Sequence, residues 1–216
     1  DFSAYPRDLN ADARLCEDAG ASLVFAPDVS EMYQDNFSTF VDMSGVTEEL
    51  CGKSRPTHFR GVCTVVSKLF HIAAPDCAYF GQKDAQQLAV IRRMARDLNM
   101  DIEIVGCPIV REPDGLAKSS RNTYLSKEER NAAAVLSRAL SAGRTMLENG
   151  ERDGELVLGE IRNIISAEPL ANIDYVEMVT WDSIEIHHTA DVPVLVAAAV
   201  WIGKTRLIDN FIFERE

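Results

Sequence analysis

The chain has 216 residues, a formal net charge of −12 and 46% hydrophobic residues. A chain of this length can bury a full core in one or two domains. The acidic balance argues against a nucleic-acid partner, because phosphate backbones need clustered lysines and arginines. No apolar run reaches the length of a membrane span and the start is not signal-like, so we expect a cytoplasmic protein without a membrane partner.

The cysteines and the first residues add two constraints. The five cysteines are scattered singly, without a CxxC pair, so neither a zinc ribbon nor a thioredoxin-type site is indicated. Such thiols are typical of a reducing compartment. Residues 1–7 predict a loop that enters a helix, and there is no initiator Met, so we expect a segment upstream of Asp1.

The first part of the chain mixes helical and strand-like patterns. Residues 9–19 predict a helix that ends at Gly20, and the apolar residues 21–26 predict a buried parallel strand. Residues 29–50 predict a loop with a short strand near 38–41. A polar loop over 52–61 and a buried helix over 62–73 follow.

The central part alternates between strands and helices. Residues 77–80 predict a buried strand, a helix begins near Asp84, and residues 101–110 predict another strand. This alternation favours an α/β fold with a parallel sheet and right-handed crossovers. We place the domain boundary near residue 110, which gives domains 1–110 and 111–216.

The last part predicts a small α+β domain. Ser126 and Glu129 form a capping box for a long helix to about residue 149, and a second helix covers about 153–168. Residues 173–179 and 192–213 are strand-like. Gly203 and Lys204 interrupt the second of these runs, which predicts a hairpin.

The turn after residues 77–80 combines a glycine with polar side chains. Gly81 permits a sharp turn, and Lys83, Asp84 and Gln87 follow near the helix start. Free N–H groups and the positive dipole end of a helix favour an anion there. The turn therefore predicts an anion site, although an ordinary turn with a solvated lysine and a capping aspartate fits the same residues.

A second polar segment follows the predicted strand 101–110. Residues 117–124 (AKSSRNTY) place two serines, two cations and an amide just ahead of a helix. Phosphate groups are bound by dense donors of this kind. Ligands of parallel sheets bind beyond the carboxyl ends of the strands, so we expect both polar segments to face one nucleotide. The alternative is a polar loop ahead of the Ser126 helix cap.

Four motifs together resemble the pantothenate synthetase (pantoate–β-alanine ligase) family. They are RPTHFRG at 55–61, FGQKDAQQL at 80–88, GLAKSSRN at 115–122 and RLIDN at 206–210. Each motif is weak alone, but four in order at family-like spacings are specific. The resemblance runs from about residue 5 to about residue 213.

The resemblance implies a fold and a reaction. The fold is a Rossmann-like parallel sheet, incomplete at the N-terminus, with a smaller C-terminal α+β domain, and the family forms homodimers. The reaction condenses pantoate with β-alanine, using ATP and Mg²⁺, through a pantoyl-adenylate. The alternatives are another adenylyl-transferring enzyme of the same superfamily, or an inactive fragment of the ligase.

The matched motifs also imply ligand contacts. The resemblance assigns ATP binding to Gly81, Gln82, Lys83, Asp84, Val110, Lys118, Ser119, Ser120 and Arg121. It assigns pantoate binding to Gln87. Lys83, Ser119 and Ser120 are the candidate catalytic residues. No Mg²⁺ ligands are identified.

Three departures from the family pattern bear on activity. The family's His-x-x-His motif would lie before Asp1, so we expect these 216 residues alone to be inactive. Lys118 stands where Met is common, and its charge either assists the phosphates or faces solvent. Gln82 replaces the usual Glu and Ala85 an aromatic residue; both are tolerated if the turn backbone makes the contact.

The chemistry refines three roles. Lys83 suits the triphosphate, because a flexible ammonium can follow charge as it moves. The acceptor-only carboxylate of Asp84 suits a ribose hydroxyl. Arg121 either contacts phosphate or braces its loop. We also expect residues 115–122 to close over the site, with Gly115 as the hinge.

Overall fold

The computed structural model describes residues 8–214, and the loop expected in residues 1–7 lies outside this part. The chain divides into two compact units, one ending at Thr39 and the other beginning at Phe40. No helix within residues 8–214 is long and apolar enough to cross a membrane. The predicted domain division at residue 110 stays a prediction.

The described part of the first unit, residues 8–39, contains the helices α1 (Leu9–Asp18) and α2 (Val29–Met32). Asp8 caps α1 by accepting a hydrogen bond from the Ala11 N–H at 3.0 Å, and the predicted helix is confirmed. The predicted strand 21–26 is wrong. Leu23 is 79% exposed, and no strand pairs with this segment among the described residues, so nothing there satisfies its backbone N–H and C=O groups as a sheet would.

The second unit begins with a loop and two helices, α3 (Leu50–Ser54) and α4 (His58–Ala73). The short strand expected near 38–41 is absent from the described segment. The loop predicted over 52–61 is largely wrong, because helix occupies both of its ends. Phe59 is 4% exposed and extends the apolar face of the predicted helix by one turn toward the N-terminus.

The central elements are β1 (Cys77–Gly81), α5 (Ala85–Asp97) and β2 (Glu103–Cys107). A short 3₁₀ turn, Gln82–Asp84, connects β1 to α5. The strands pair in parallel as predicted, but the expected burial of residues 77–80 is wrong, since Tyr79 is 68% exposed. Gly81 and Cys107 are partners at the carboxyl ends, and the first polar turn directly follows Gly81 at this edge of the sheet.

The last elements are α6 (Lys127–Glu148), α7 (Gly154–Ser166), β3 (Ala171–Thr180), β4 (Val194–Ile202) and β5 (Thr205–Phe213). The strands form an antiparallel sheet in the order β3-β4-β5. The predicted capping box is present: the Ser126 hydroxyl accepts from the Glu129 N–H at 3.2 Å. The predicted hairpin joins β4 to β5. The expected α/β class, with a parallel sheet and a separate antiparallel C-terminal sheet, is confirmed.

The antiparallel sheet is buried on both faces. Val196, Ala198 and Val200 of β4 pack into a cluster with residues of α6 and α7. Leu195 and Ala197, on the opposite face, pack into a second cluster with residues of α4 and α5. Because strand side chains alternate between faces, β5 can hold groups on both sides of the sheet.

Candidate active site

A cavity lies beside β5, where the 82–84 turn, the starts of α4 and α5, and the second polar segment meet. Ala197 of β4 lines the cavity, and its small side chain leaves space next to the sheet. The cavity is lined by several charged and polar residues: Arg55, His58, Lys83, Asp84, Gln87, Arg121, Arg206, Asp209 and Asn210.

Four of the predicted site residues line this cavity together. Lys83, Asp84 and Gln87 come from the turn and the first turn of α5, and Arg121 comes from the second polar segment. Among residues 8–214 the Lys83 ammonium and the Gln87 amide have no hydrogen-bond or ion-pair partner, so both can contact a ligand. The two segments thus contribute side chains to one space.

The other predicted residues lie outside the lining. Gly81 and Gln82 precede Lys83 in the same turn, and the Gln82 carbonyl accepts a hydrogen bond from Asn210 at 3.0 Å. Val110 is 63% exposed, and its carbonyl accepts from the Lys118 N–H at 2.9 Å. The backbone of Lys118 therefore lies beside that of Val110, and the Lys118 side chain is exposed.

The serine pair sits directly before Arg121. Ser119 caps a short 3₁₀ turn, Ser120–Tyr124, and its hydroxyl accepts from the Arg121 N–H at 3.3 Å. Ser119 is half-buried and Ser120 is exposed. The pair therefore lies one or two residues from the cavity, and not in its lining.

Gly115 is held by several contacts. Its φ is +89°, its N–H donates to the Glu112 carbonyl at 2.9 Å, and its carbonyl accepts from Arg111 at 2.9 Å. A Cβ there would lie 2.6 Å from the Ser137 hydroxyl. These contacts argue against Gly115 as the hinge of a closing loop.

Sequence reasoning assigned no role to Arg206, which lines the cavity from β5. Its Nη2 lies 2.7 Å from Asp174 Oδ2, and its guanidinium lies over the Tyr175 ring at 5.7 Å. Burial is the largest effect on the pKa of Arg206 and lowers it. The hydrogen bond to Asp174, together with the Cys51 thiol and the Tyr175 phenol, outweighs burial, so the pKa of Arg206 is raised. Burial is likewise the main reason why the pKa of Tyr175 is raised. The sequence signal that could have indicated a role for Arg206 is its charge, because it stands within a mainly apolar predicted strand.

Arg55 and His58 were also quoted in a motif without a role. The pKa of His58 is lowered, first by burial and then by the positive charge of Arg55. Asp84 opposes this effect, whereas Arg121 and Arg206 add to it. Burial and the positive charges around it therefore both favour the neutral imidazole, and the cationic side chains themselves suit an anionic ligand.

The described residues do not form a site built for Mg²⁺. No group of three or more His, Cys, Asp or Glu side chains within the described ranges could hold a metal ion. Of the two cavity carboxylates, Asp209 already accepts two hydrogen bonds from Arg111. Residues 8–214 therefore supply no cluster of protein ligands for Mg²⁺.

The chain is similar to known proteins over nearly its whole length. The family model for pantoate-beta-alanine ligase matches residues 1–212. Pantothenate synthetase from Ruminiclostridium cellulolyticum is 58% identical over 213 residues, which cover 99% of this chain and 76% of the relative. The Enterococcus faecalis enzyme is 59% identical over 214 residues, with the same coverage of 99% and 76%.

Solved structures show the same relationship. Pantothenate synthetase from Thermus thermophilus superposes with a TM-score of 0.94 at 44% identity, covering 98% of this chain and 76% of that one. Pantoate-beta-alanine ligase from Francisella tularensis, complexed with beta-gamma ATP and beta-alanine, gives 0.79 at 30% identity, with 98% and 72% covered. The chain therefore belongs to the pantoate-beta-alanine ligase family of ATP-dependent ligases.

Proposed function

We propose that the protein activates pantoate with ATP as pantoyl-adenylate and then transfers the pantoyl group to β-alanine. The observation that carries this proposal is the charge at one cavity. In a chain of net charge −12, Arg55, Lys83, Arg121 and Arg206 all line the same space. Such a cluster suits substrates that are themselves anions.

The first step brings two anions together. The pantoate carboxylate attacks the α-phosphorus, and the bond to pyrophosphate breaks as negative charge grows on the leaving group. Catalysis is then positioning plus charge neutralisation. We assign Lys83 to the triphosphate, because its ammonium lines the cavity and has no partner in the described chain. Arg121 adds a second cation from the other segment.

The remaining ATP contacts are assigned to the two polar segments. Gly81 and Gln82 offer backbone groups beside Lys83, Asp84 offers an acceptor for the ribose, and Val110 offers backbone groups to the adenine. Ser119 and Ser120, with Lys118, offer donors to the outer phosphates. The short distance in sequence between the serines and Arg121 supports their role at the same nucleotide.

Pantoate is assigned to Gln87. Its amide both donates and accepts, which suits a hydroxy acid, and it lines the cavity without a partner in the described chain. Mg²⁺ would enter with the nucleotide, because this ion commonly binds substrate phosphates and water with only one or two carboxylates.

The second step is attack of the β-alanine amine on the acyl-adenylate, which releases AMP. The amine must lose a proton to attack. His58 lines the cavity, but its lowered pKa makes the imidazole a weak proton acceptor, so we assign no general base and expect β-alanine to react as the free amine. Arg55, Arg121 and Arg206, which help to lower the pKa of His58, also offer a site for the β-alanine carboxylate.

Pantoate-dependent exchange of labelled pyrophosphate into ATP tests the first step in the natural protein. AMP release that requires β-alanine tests the second. Exchange without any dependence of AMP release on β-alanine would favour another adenylyl-transferring enzyme. The same two assays on the 216-residue chain alone test the expectation that it is inactive by itself.

Three further expectations are part of the proposal: a homodimer, a cytoplasmic location and a domain division near residue 110. Sedimentation equilibrium measures the mass of the assembly. Fractionation of cells locates the protein. Limited proteolysis tests the division, since cleavage between two domains should be favoured near residue 110.

A further inference from the structure

Adjacent residues Asp209 and Asn210 of β5 are polar and almost fully buried. Asp209 is 2% exposed and Asn210 is 3% exposed. A buried polar side chain is destabilising unless it has partners, so such a pair in a central layer calls for a reason. Because successive strand side chains point to opposite faces, the two residues reach different parts of the protein.

Asn210 holds the turn that carries Lys83. Its Nδ2 donates to the Gln82 carbonyl at 3.0 Å and to the Lys83 carbonyl at 2.9 Å. Two carbonyl oxygens can accept only from the nitrogen end, so the orientation of the amide is determined. Its Oδ1 has no partner among the described residues, so the side chain contributes here through its two donors.

Asp209 holds the loop that leads into the second polar segment. Its carboxylate accepts from Arg111 Nη1 at 2.6 Å and from Nη2 at 3.0 Å. Arg111 Nη1 also donates to the Gly115 carbonyl at 2.9 Å. The carbonyl of Val110, next to Arg111, accepts from the Lys118 N–H at 2.9 Å, which ties the segment down three residues before Arg121.

We propose that Asp209 and Asn210 are positioning residues that hold the two ligand-binding segments in register. Asn210 fixes the 82–84 turn and hence Lys83, and Asp209 fixes residues 111–118 and hence Arg121. The proposal rests on the proposed function of this cavity. β5 pairs with β4 along its whole length, so two neighbouring residues on it can set the separation of two turns, and a small misplacement of catalytic groups is costly.

Two variants of Asn210 in the natural protein test its role. Asn210→Ala removes both donors, and Asn210→Asp keeps the shape but cannot donate when ionised. We expect kcat/KM for ATP, measured by pantoate-dependent pyrophosphate exchange, to fall by about 30-fold or more in both. If one variant fails to fold, the other still gives the measurement.

A double-mutant cycle separates positioning from general stability. If Asn210 acts through Lys83, Asn210→Ala should lower exchange by less than about 3-fold in a Lys83→Ala background. Asp209→Asn should likewise lower pyrophosphate exchange, and most of this decrease should disappear in an Arg121→Ala background. Equal fold losses with and without the partner substitution would overturn the proposal.

Val200→Ala is the matched control. Val200 is fully buried in the same sheet and does not line the cavity. Because its substitution removes only core packing, it should lower the melting temperature but change kcat/KM for ATP by less than about 2-fold. A loss as large as that of Asn210→Ala would assign both effects to stability and overturn the proposal. Absence of pantoate-dependent exchange in the unmodified natural protein would instead reject the proposed function.

Discussion

Arg206 and Asp174 form an ion pair across the antiparallel sheet, with Nη2 and Oδ2 2.7 Å apart, although β4 separates their strands. The pairing of β3 with β4 is irregular between Ile173 and Tyr175, so Asp174 lies in a bulge. A bulge re-aims a side chain. Here the bulge holds Asp174, whose carboxylate contacts the Arg206 guanidinium beside the cavity.

Asp174→Ala should destabilise the protein by about 1.5–3 kcal/mol, because it leaves the charge of Arg206 without its carboxylate partner. The Arg206 side chain is only 16% exposed, so water replaces the carboxylate poorly. Urea unfolding at pH 7 measures the change in free energy.

Asp97→Ala provides the comparison for Asp174→Ala. Asp97 pairs with Arg96 at 2.7 Å, but the two side chains are 49% and 67% exposed. Exposed pairs contribute about 1 kcal/mol or less. A similar loss in both variants would show that the pair at the cavity is an ordinary surface contact.

Lys83→Ala should raise the barrier to adenylate formation by about 2–4 kcal/mol, since one preorganised cation at the phosphates is lost. Pantoate-dependent pyrophosphate exchange in the natural protein measures this as a drop in rate of roughly 30- to 1000-fold. An unchanged exchange rate would falsify the assigned role.

Gln87→Ala should weaken the binding of pantoate more than that of ATP. Gln87 lies one helical turn beyond Lys83 and faces the same cavity with an uncharged amide. Loss of two hydrogen bonds corresponds to about 1–3 kcal/mol. Separate titrations of pantoate and ATP by calorimetry decide the question, and equal losses would count against the assignment.

Much of the fold follows from local signals in the sequence. The capping box at Ser126 and the hairpin at Gly203 were predicted because each depends on residues close together in the chain. The strand expected over residues 21–26 was wrong, because apolar composition alone cannot supply a paired neighbour. The helix in residues 58–61 was missed because its polar residues conceal the buried Phe59.

The site was predicted in part for a related reason. Lys83, Asp84 and Gln87 belong to one recognisable turn, so sequence reasoning found them together. Arg206 reaches the cavity from a strand more than one hundred residues away along the chain, and its partner Asp174 lies in a bulge. Only the packing of the antiparallel sheet against α4 and α5 reveals that such distant charges meet.

Stability should depend on pH through His58. Its lowered pKa means that the unfolded chain binds a proton more readily, so stability is fully present above about pH 6.5 and is lost as the pH falls toward the native pKa. His58→Asn should abolish this part of the pH dependence. Urea unfolding from pH 7.5 to 5.5 compares the two proteins, since the other histidines are common to both.

Arg55→Gln gives a second check on His58. Arg55 is the largest charge contribution to the lowered pKa, so its removal should make the loss of stability below pH 6.5 smaller. A steeper loss in this variant would contradict the assignment of the pH dependence to His58.

Gly203→Ala should destabilise the protein by about 2 kcal/mol, through backbone strain and a lost helix cap. The residue has a φ of +56° in the β4–β5 hairpin, which costs an alanine roughly 1 kcal/mol. A Cβ there would also lie 1.9 Å from Glu129 Oε1, and Glu129 completes the capping box of α6, whose loss costs about 1 kcal/mol. Thermal unfolding measures the total. Gly159→Ala in α7 meets nothing within 4 Å and should instead stabilise by about 0.5–1 kcal/mol, so a loss of equal size in both variants would contradict the clash at Glu129.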